Sequence, residues 1–197
     1  MMMYKKNKNL GFSLIEMLVS IALFAIVVTT SVGTLLVLVD ANAKSQSIQI
    51  AINNLSFAVD VMTRQLRTGT DFYCDNNQTS ITSGSSLKSG TNDCSNGGEA
   101  IAFTDTRTGE RISFALAYPN GTTIQRRIDG MSSNAWLDMT GSNITITNLD
   151  FVVTGTDPSD DVQPTVTIFI EATVGDATGL GSQFEIQTSV TQRKLDI

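Results

Sequence analysis

The residue types that most often perform catalysis are scarce in this chain. None of its 197 residues is histidine, the commonest general base and metal ligand at neutral pH. Serine is abundant, but the Gly-x-Ser-x-Gly pattern of serine hydrolases does not occur, and no imidazole is available to activate a hydroxyl group. The sequence therefore predicts that this protein is not an enzyme.

Three aspartates come closest to a metal-binding pattern. Asp157, Asp160 and Asp161 lie in the stretch TDPSDD. Carboxylate oxygens are the ligands that calcium prefers, but this spacing does not match an EF-hand loop, and acidic turns are usually solvated. We predict that the protein has no cofactor, and calcium bound near these three aspartates is the alternative.

The charge balance argues against nucleic acid as a partner. The chain has 13 Lys and Arg residues against 19 Asp and Glu residues, so a polyanion would be repelled. Arg126 and Arg127 form a basic pair, but no aromatic platform accompanies them.

The most decisive stretch is 12–39, FSLIEMLVSIALFAIVVTTSVGTLLVLV, which carries one charge, at Glu16. At about 1.5 Å per residue, a helix of this length exceeds the ~30 Å hydrocarbon core of a bilayer. Lys5, Lys6 and Lys8 precede it without an acidic residue, so the positive-inside rule keeps that end cytoplasmic. The sequence predicts a single-pass membrane protein with everything after residue 40 outside the cytoplasm.

Two details distinguish this stretch from a secretory signal. The glycine precedes the apolar run instead of following it, and Glu16 would cost about 2.5–3.5 kcal/mol at the bilayer centre without a partner. The stretch KNKNLGFSLIEMLVSIALFAI resembles the class III signal of type IV pilins and type II secretion pseudopilins. A plain single-pass anchor with a chance glutamate is the alternative.

The resemblance implies a processing site and an assembly residue. Prepilin peptidase would cut between Gly11 and Phe12 and methylate the new amine of Phe12. Glu16 would then be the fifth mature residue, and its carboxylate would pair with the N-terminal amine of a neighbouring subunit, which relieves its burial and sets the register.

Small and hydroxylated residues at 29–33 weaken helix propensity within the apolar run. They predict a kink or melted turn, or alternatively a surface for close helix packing.

From 41 to 67 the pattern is that of an amphipathic helix. A second, narrower apolar stripe lies nearly opposite the main face and consists of Ile50, Phe57 and Val61. We expect the main face to pack on the protein's own sheet and the stripe to contact a neighbouring subunit; burial of both faces by the protein's own loops is the alternative. The main face comprises Ile48, Ile52, Leu55, Val59, Met62 and Leu66.

The stretch 71–98 is rich in Ser, Thr, Asn, Asp and Gly and is predicted to be a long loop. Its two cysteines, Cys74 and Cys94, are the only pair in the chain. Because this region is expected outside the cytoplasm, we predict a disulfide, which contributes on the order of 3 kcal/mol for a loop of this size. A metal site would need more ligands than two thiols.

After Glu99 the apolar period changes to near two, with many β-branched residues. A long helix followed by an antiparallel sheet predicts the α+β class. The resemblance sharpens this to a type IV pilin-like fold, with the apolar half of the helix protruding and its second half packed on the domain. The predicted strands are 100–104, 111–118, 122–128, 144–153, 165–174 and 184–194.

These predictions divide the chain into a leader, an apolar helix, its amphipathic continuation and an exterior β-rich head containing the disulfide loop 71–98. The corresponding ranges are 1–11, 12–39, 40–68 and 69–197.

The C-terminal stretches TNLDFVVTG, TVTIFIEATVG and FEIQTSVTQRKLDI resemble minor pseudopilins of the J kind and related minor pilins. The resemblance implies a minor structural subunit of a type IV pilus or type II secretion pseudopilus. Its partners would be other pilin or pseudopilin subunits, prepilin peptidase and the inner-membrane assembly platform. An uncleaved, membrane-anchored exterior binding domain is the alternative function.

Overall fold

The computed structural model describes residues 11–83, 86–119, 121–129, 136–159, 161–174 and 182–193. The chain forms two compact units, Met1–Ser45 and Gln46–Ile197, which we call the N-terminal unit and the head. One helix, α1 (Leu14–Arg67), contributes to both units. The leader lysines, as well as Asp160 and Lys194, lie outside the described residues.

The head contains two main antiparallel sheets, which confirms the predicted α+β class. The five-stranded sheet has the order β1-β4-β5-β6-β7, the three-stranded sheet has the order β10-β9-β8, and β2 pairs with β3. The strands are β1 (Gly69–Asp75), β2 (Thr82–Ser83), β3 (Ser86–Leu87), β4 (Ala100–Asp105), β5 (Arg111–Leu116), β6 (Ile124–Ile128), β7 (Leu137–Asp138), β8 (Thr145–Thr154), β9 (Thr165–Val174) and β10 (Ser182–Thr191).

The buried face of α1 differs from the predicted one. Ile52 is 41% exposed, whereas the small residues Ala51 and Ala58 are fully buried. Because their side chains are small, a search for large apolar residues overlooks them. In full, the buried face consists of Ala51, Leu55, Ala58, Met62 and Leu66.

The first part of the predicted loop 71–98 is a strand. β1 pairs with β4 in antiparallel register, and its Phe72 and Cys74 are buried. Tertiary pairing therefore overrides the polar composition of the surrounding sequence. Gly69 begins this strand where space is tight, because a Cβ atom there would lie 2.6 Å from Cδ2 of Phe103.

One hydrophobic core joins α1 to both main sheets. Leu55 and Met62 of α1 belong to it together with Phe151 of β8 and Ile168 of β9. The aromatic part of this core is a row of three rings, with centroid distances of 6.0 Å and 5.6 Å, formed by Phe72, Phe103 and Phe114.

The segment 92–98 connects the outer edges of β1 and β8. Two backbone hydrogen bonds join Asn92 to β1: the Asn92 N–H donates to Phe72 O at 2.9 Å, and the Cys74 N–H donates to Asn92 O at 3.0 Å. Two more join Cys94 to β8: the Cys94 N–H donates to Val153 O at 3.0 Å, and the Val153 N–H donates to Cys94 O at 3.3 Å. A disulfide between Cys74 and Cys94 closes this connection covalently.

Candidate functional site

The start of α1 is set by a side-chain cap. Ser13 Oγ accepts a hydrogen bond from the backbone N–H of Glu16 at 3.3 Å. Its carbonyl accepts one from Met17 N–H, also at 3.3 Å. Ser13 is not among the residues predicted from sequence, although Ser-x-x-Glu before an apolar run is a known N-cap pattern. The cap places Glu16 in the first helical turn, where the helix dipole favours a carboxylate.

The predicted cleavage position lies just before this cap. Gly11 and Phe12 are outside the helix, and Phe12 is 77% exposed. A Cβ atom at Gly11 would meet nothing within 4 Å. The bond between the two residues therefore lies outside the helix.

The Glu16 carboxylate forms no ion pair with any residue that the structure describes. A partner for it must therefore come from solvent, from residues outside the described ranges or from another molecule.

The predicted break at 29–33 is absent, because α1 continues through Gly33 as a regular α-helix. The hydroxyl groups of this region donate to carbonyls of the preceding turn. Thr29 Oγ1 reaches Ala25 O at 2.8 Å, and Ser31 Oγ reaches Val27 O at 2.7 Å. These bonds satisfy the hydroxyls within the helix itself. A Cβ atom at Gly33 would meet nothing within 4 Å, so the helix surface there is open.

The large apolar side chains of the N-terminal unit are exposed along the whole helix. By length and composition, α1 is the one described helix that is able to cross a membrane. The exposed residues include Leu14, Ile15, Leu18, Ile21, Phe24, Ile26, Val32, Leu35, Leu36 and Leu38.

In the head, part of the second apolar stripe lines an open groove of about 310 Å³. Phe57 and Val61 of α1 form one wall of the groove, and Leu137 and Met139 form the other. Phe57 is 68% exposed and Leu137 47%. Leu137 carries no sequence signal that associates it with this stripe, because β7 has only two residues and no apolar alternation.

Ile50, the third stripe residue, is also exposed but lies beside a different and more polar surface. There, Asn54 Nδ2 donates to Asn143 Oδ1 at 3.2 Å.

The arginine pair is not a basic surface patch. Arg127 is buried, at 5% exposure, and its guanidinium lies 3.4 Å from the carboxylate of Asp129. Arg126 instead lines the groove between Phe57 and Leu137, which we call the Phe57 groove.

The described aspartates of the calcium alternative are engaged locally. Asp157 accepts hydrogen bonds from Ser159 N–H at 2.9 Å and Ser159 Oγ at 2.7 Å, which hold the pKa of its carboxyl below the usual range. Asp161 has a positive φ of 54°, and Asp160 lies outside the described residues. The described residues contain no group of three or more His, Cys, Asp or Glu arranged for a metal. The predicted absence of a cofactor stays a prediction, with calcium near these aspartates as its alternative.

An ion pair lies beside the disulfide. Lys88 Nζ contacts Asp75 Oδ2 at 3.2 Å and lies 5.2 Å from the ring centre of Tyr73. Burial on its own raises the pKa of Asp75, but the Asn76 N–H and the Lys88 ammonium outweigh burial and lower it. Hydrogen bonds to Asp75 and Tyr73 raise the pKa of Lys88.

The N-terminal geometry agrees with a comparison to known protein families. The family model described as the prokaryotic N-terminal methylation motif matches residues 6–32. The chain carries a class III prepilin signal. The match confirms the resemblance to the type IV pilin and pseudopilin family and points to a structural subunit. Together with the apolar α1, it supports membrane anchoring. No curated protein and no solved structure matches the chain.

The Asp75–Lys88 pair makes the stability of the head pH-dependent. The pKa of Asp75 in the folded state is lowered from its ordinary value of 3.8. Its carboxylate therefore adds to the free energy of unfolding at pH values above 3.8, and this contribution is lost as the pH falls through the folded-state pKa. We expect Asp75→Asn to lower the free energy of unfolding by less than about 1 kcal/mol at neutral pH. The difference from wild type should vanish in acid.

Urea unfolding of the full chain in detergent micelles at several pH values measures this difference, and urea is chosen because guanidinium would screen the pair. Asp60→Asn, which removes a carboxylate from the exposed Asp60–Arg64 pair on α1, is the matched control. A constant Asp75→Asn effect from neutral to acid pH would contradict the assignment.

Proposed function

We propose that this protein is a minor subunit of a type IV pilus or type II secretion pseudopilus. In this proposal, prepilin peptidase cuts between Gly11 and Phe12, the amine of Phe12 is methylated, and α1 carries the subunit into the filament. The observation that supports it most is the methylation motif at 6–32, which contains the capped start of the apolar helix.

The exposed apolar surface of the N-terminal unit gives the physical reason for assembly. Burial of apolar area contributes roughly 25 cal/mol per Å², so these side chains need a non-aqueous environment. Lipid supplies one before assembly, and the helices of other subunits supply one afterwards. Transfer between the two is feasible because neither environment offers the helix much water.

Glu16 would make this transfer specific. A carboxylate entering an apolar environment needs a cation, and no described residue provides one. The methylated amine of a neighbouring subunit has the required charge. Pairing the two groups would fix the axial position of each new subunit.

The partners in this proposal are other pilin or pseudopilin subunits, prepilin peptidase and the inner-membrane assembly platform. The head would lie in the periplasm or outside the cell, where a Cys74–Cys94 disulfide persists. The minor, J-type assignment rests on the resemblance of the sequences of β8, β9 and β10.

An uncleaved single-pass anchor carrying an exterior binding domain is the second candidate. It is favoured by the same apolar α1, which would span a membrane with or without processing.

Processing distinguishes the two candidates. Mass spectrometry of the protein from its native membrane should find a mature N-terminus at Phe12 with one added methyl group. An intact leader in cells whose prepilin peptidase is active would refute the pilin proposal and favour the anchor.

Removing the charge of Glu16 should weaken subunit addition without affecting membrane insertion. Loss of one member of a buried ion pair is strongly destabilising, so Glu16→Ala should lower filament incorporation on the order of tenfold or more. Quantitative immunoblotting of filament and membrane fractions measures both steps. Glu16→Asp, which keeps the charge, should retain part of the incorporation; equal incorporation of Glu16→Ala and wild type would reject the pairing mechanism.

The Phe57 groove should contact a neighbouring subunit. Phe57→Glu places a charge on an exposed apolar surface and should reduce incorporation severalfold, since a buried unpaired charge costs several kcal/mol. Ser56→Glu introduces the same charge at the adjacent exposed position and is the control. If the two variants assemble equally well, this groove is not part of the interface.

A further inference from the structure

Among the described strands, β10 is a long edge strand whose outer side is unpaired. It has ten residues, Ser182–Thr191, and pairs with β9 along its entire length. Among the described residues outside β9, none makes a backbone hydrogen bond to β10. Alternate residues of an antiparallel strand point their N–H and C=O groups away from the partner, so about five residues of β10 leave these groups available.

The other sheet edges of the head are covered or short. At β8, the N–H of Phe151 donates to Gly98 O and that of Ile146 to Thr122 O, both at 2.8 Å. Asn92 covers β1 in the same way, and β7 has only two residues. β10 also lacks the lysine and proline residues that commonly protect edge strands.

The inner face of β10 is incompletely covered. Phe184 and Ile186 pack against the hydrophobic core but are only partly buried. On the neighbouring strand β9, the residues directly opposite them, Ala172 and Ile170, are at 0% and 1% exposure. A further strand beside β10 would bury Phe184 and Ile186 as β10 buries the residues of β9.

The outer face of the same edge has an unbalanced charge. Glu185 of β10 lies directly opposite Glu171 of β9 in the register. Like charges in this arrangement are destabilising, and within the described part of the chain neither glutamate has an ion-pair partner. A cation beside Glu185 would relieve the repulsion.

We propose that β10 binds an extended segment of a different protein subunit by strand addition. The segment would place a Lys or Arg beside Glu185 and apolar side chains beside Phe184 and Ile186. A second copy of β10 does not fit, because Glu185 is the only charged residue of this strand and a copy would bring another carboxylate. The proposal concerns the head alone and does not depend on how α1 assembles.

Peptide binding to the full chain in detergent micelles tests the proposal. The probe is the capped, fluorescently labelled peptide Thr-Val-Thr-Val-Lys-Val-Thr-Val-Thr, compared with a version that has Glu in place of Lys and with one that is N-methylated at every Thr and Val. By fluorescence anisotropy, the Lys peptide should bind about threefold to tenfold more tightly than the Glu peptide. The N-methylated peptide should not bind, because it cannot pair along a strand edge.

Charge reversal on the protein supplies the control. Glu185→Lys should reverse the preference between the Lys and Glu peptides, and Glu185→Gln should abolish it. Glu110→Lys makes the same change in net charge at an exposed residue between β4 and β5 and should leave the preference unchanged.

Three results would overturn the proposal. The first is no saturable binding of the Lys peptide up to millimolar concentration. The second is equal binding of the N-methylated peptide, which would mean charge attraction without strand pairing. The third is self-association of the wild-type chain that competes with the peptide, which would make a second copy the occupant.

Discussion

The head depends on the segment 92–98, which closes the space between the two main sheets. β1 belongs to one sheet and β8 to the other, and their outer edges would otherwise expose unpaired backbone groups beside the core. Asn92 satisfies one edge, and Cys94 and Gly98 satisfy the other. Because the disulfide also joins β1 to this segment, a single short stretch of chain aligns both sheets over the face of α1.

This arrangement assigns different roles to the two ends of α1. Its C-terminal part supplies Leu55, Met62 and small alanines to the common core. Its N-terminal part buries none of its side chains in the chain itself. The core of the head and the exposed apolar surface of the helix therefore consist of separate sets of residues, which allows a substitution to affect one without the other.

Strictly local patterns were predictable from sequence. The apolar run, the class III signal around Gly11 and Glu16, and six strands, several of them with period-two alternation, all follow from neighbouring residues. β1 was missed because its pairing with β4 depends on residues distant in sequence, and the surrounding composition is that of a loop. The buried helix face was misplaced because Ala51 and Ala58 contribute by being small, which a count of large apolar residues does not detect.

The groove at Phe57 and the edge at β10 likewise depend on residues that are distant in sequence. Phe57 was predicted as an exposed contact, but its proximity to Leu137 depends on the folding of β6 and β7 beside α1. The opposition of Glu171 and Glu185 depends on the register of β9 and β10, which alternation alone does not specify. Such juxtapositions become visible only when the strands are paired.

The hydroxyl groups in the apolar part of α1 affect how the helix partitions between phases. Each of Thr29, Thr30 and Ser31 donates its hydrogen to a carbonyl of its own helix. A hydroxyl that is already satisfied loses little solvation free energy on leaving one apolar medium for another. The helix thus carries polar atoms without the energetic barrier that unsatisfied ones would impose in an apolar medium.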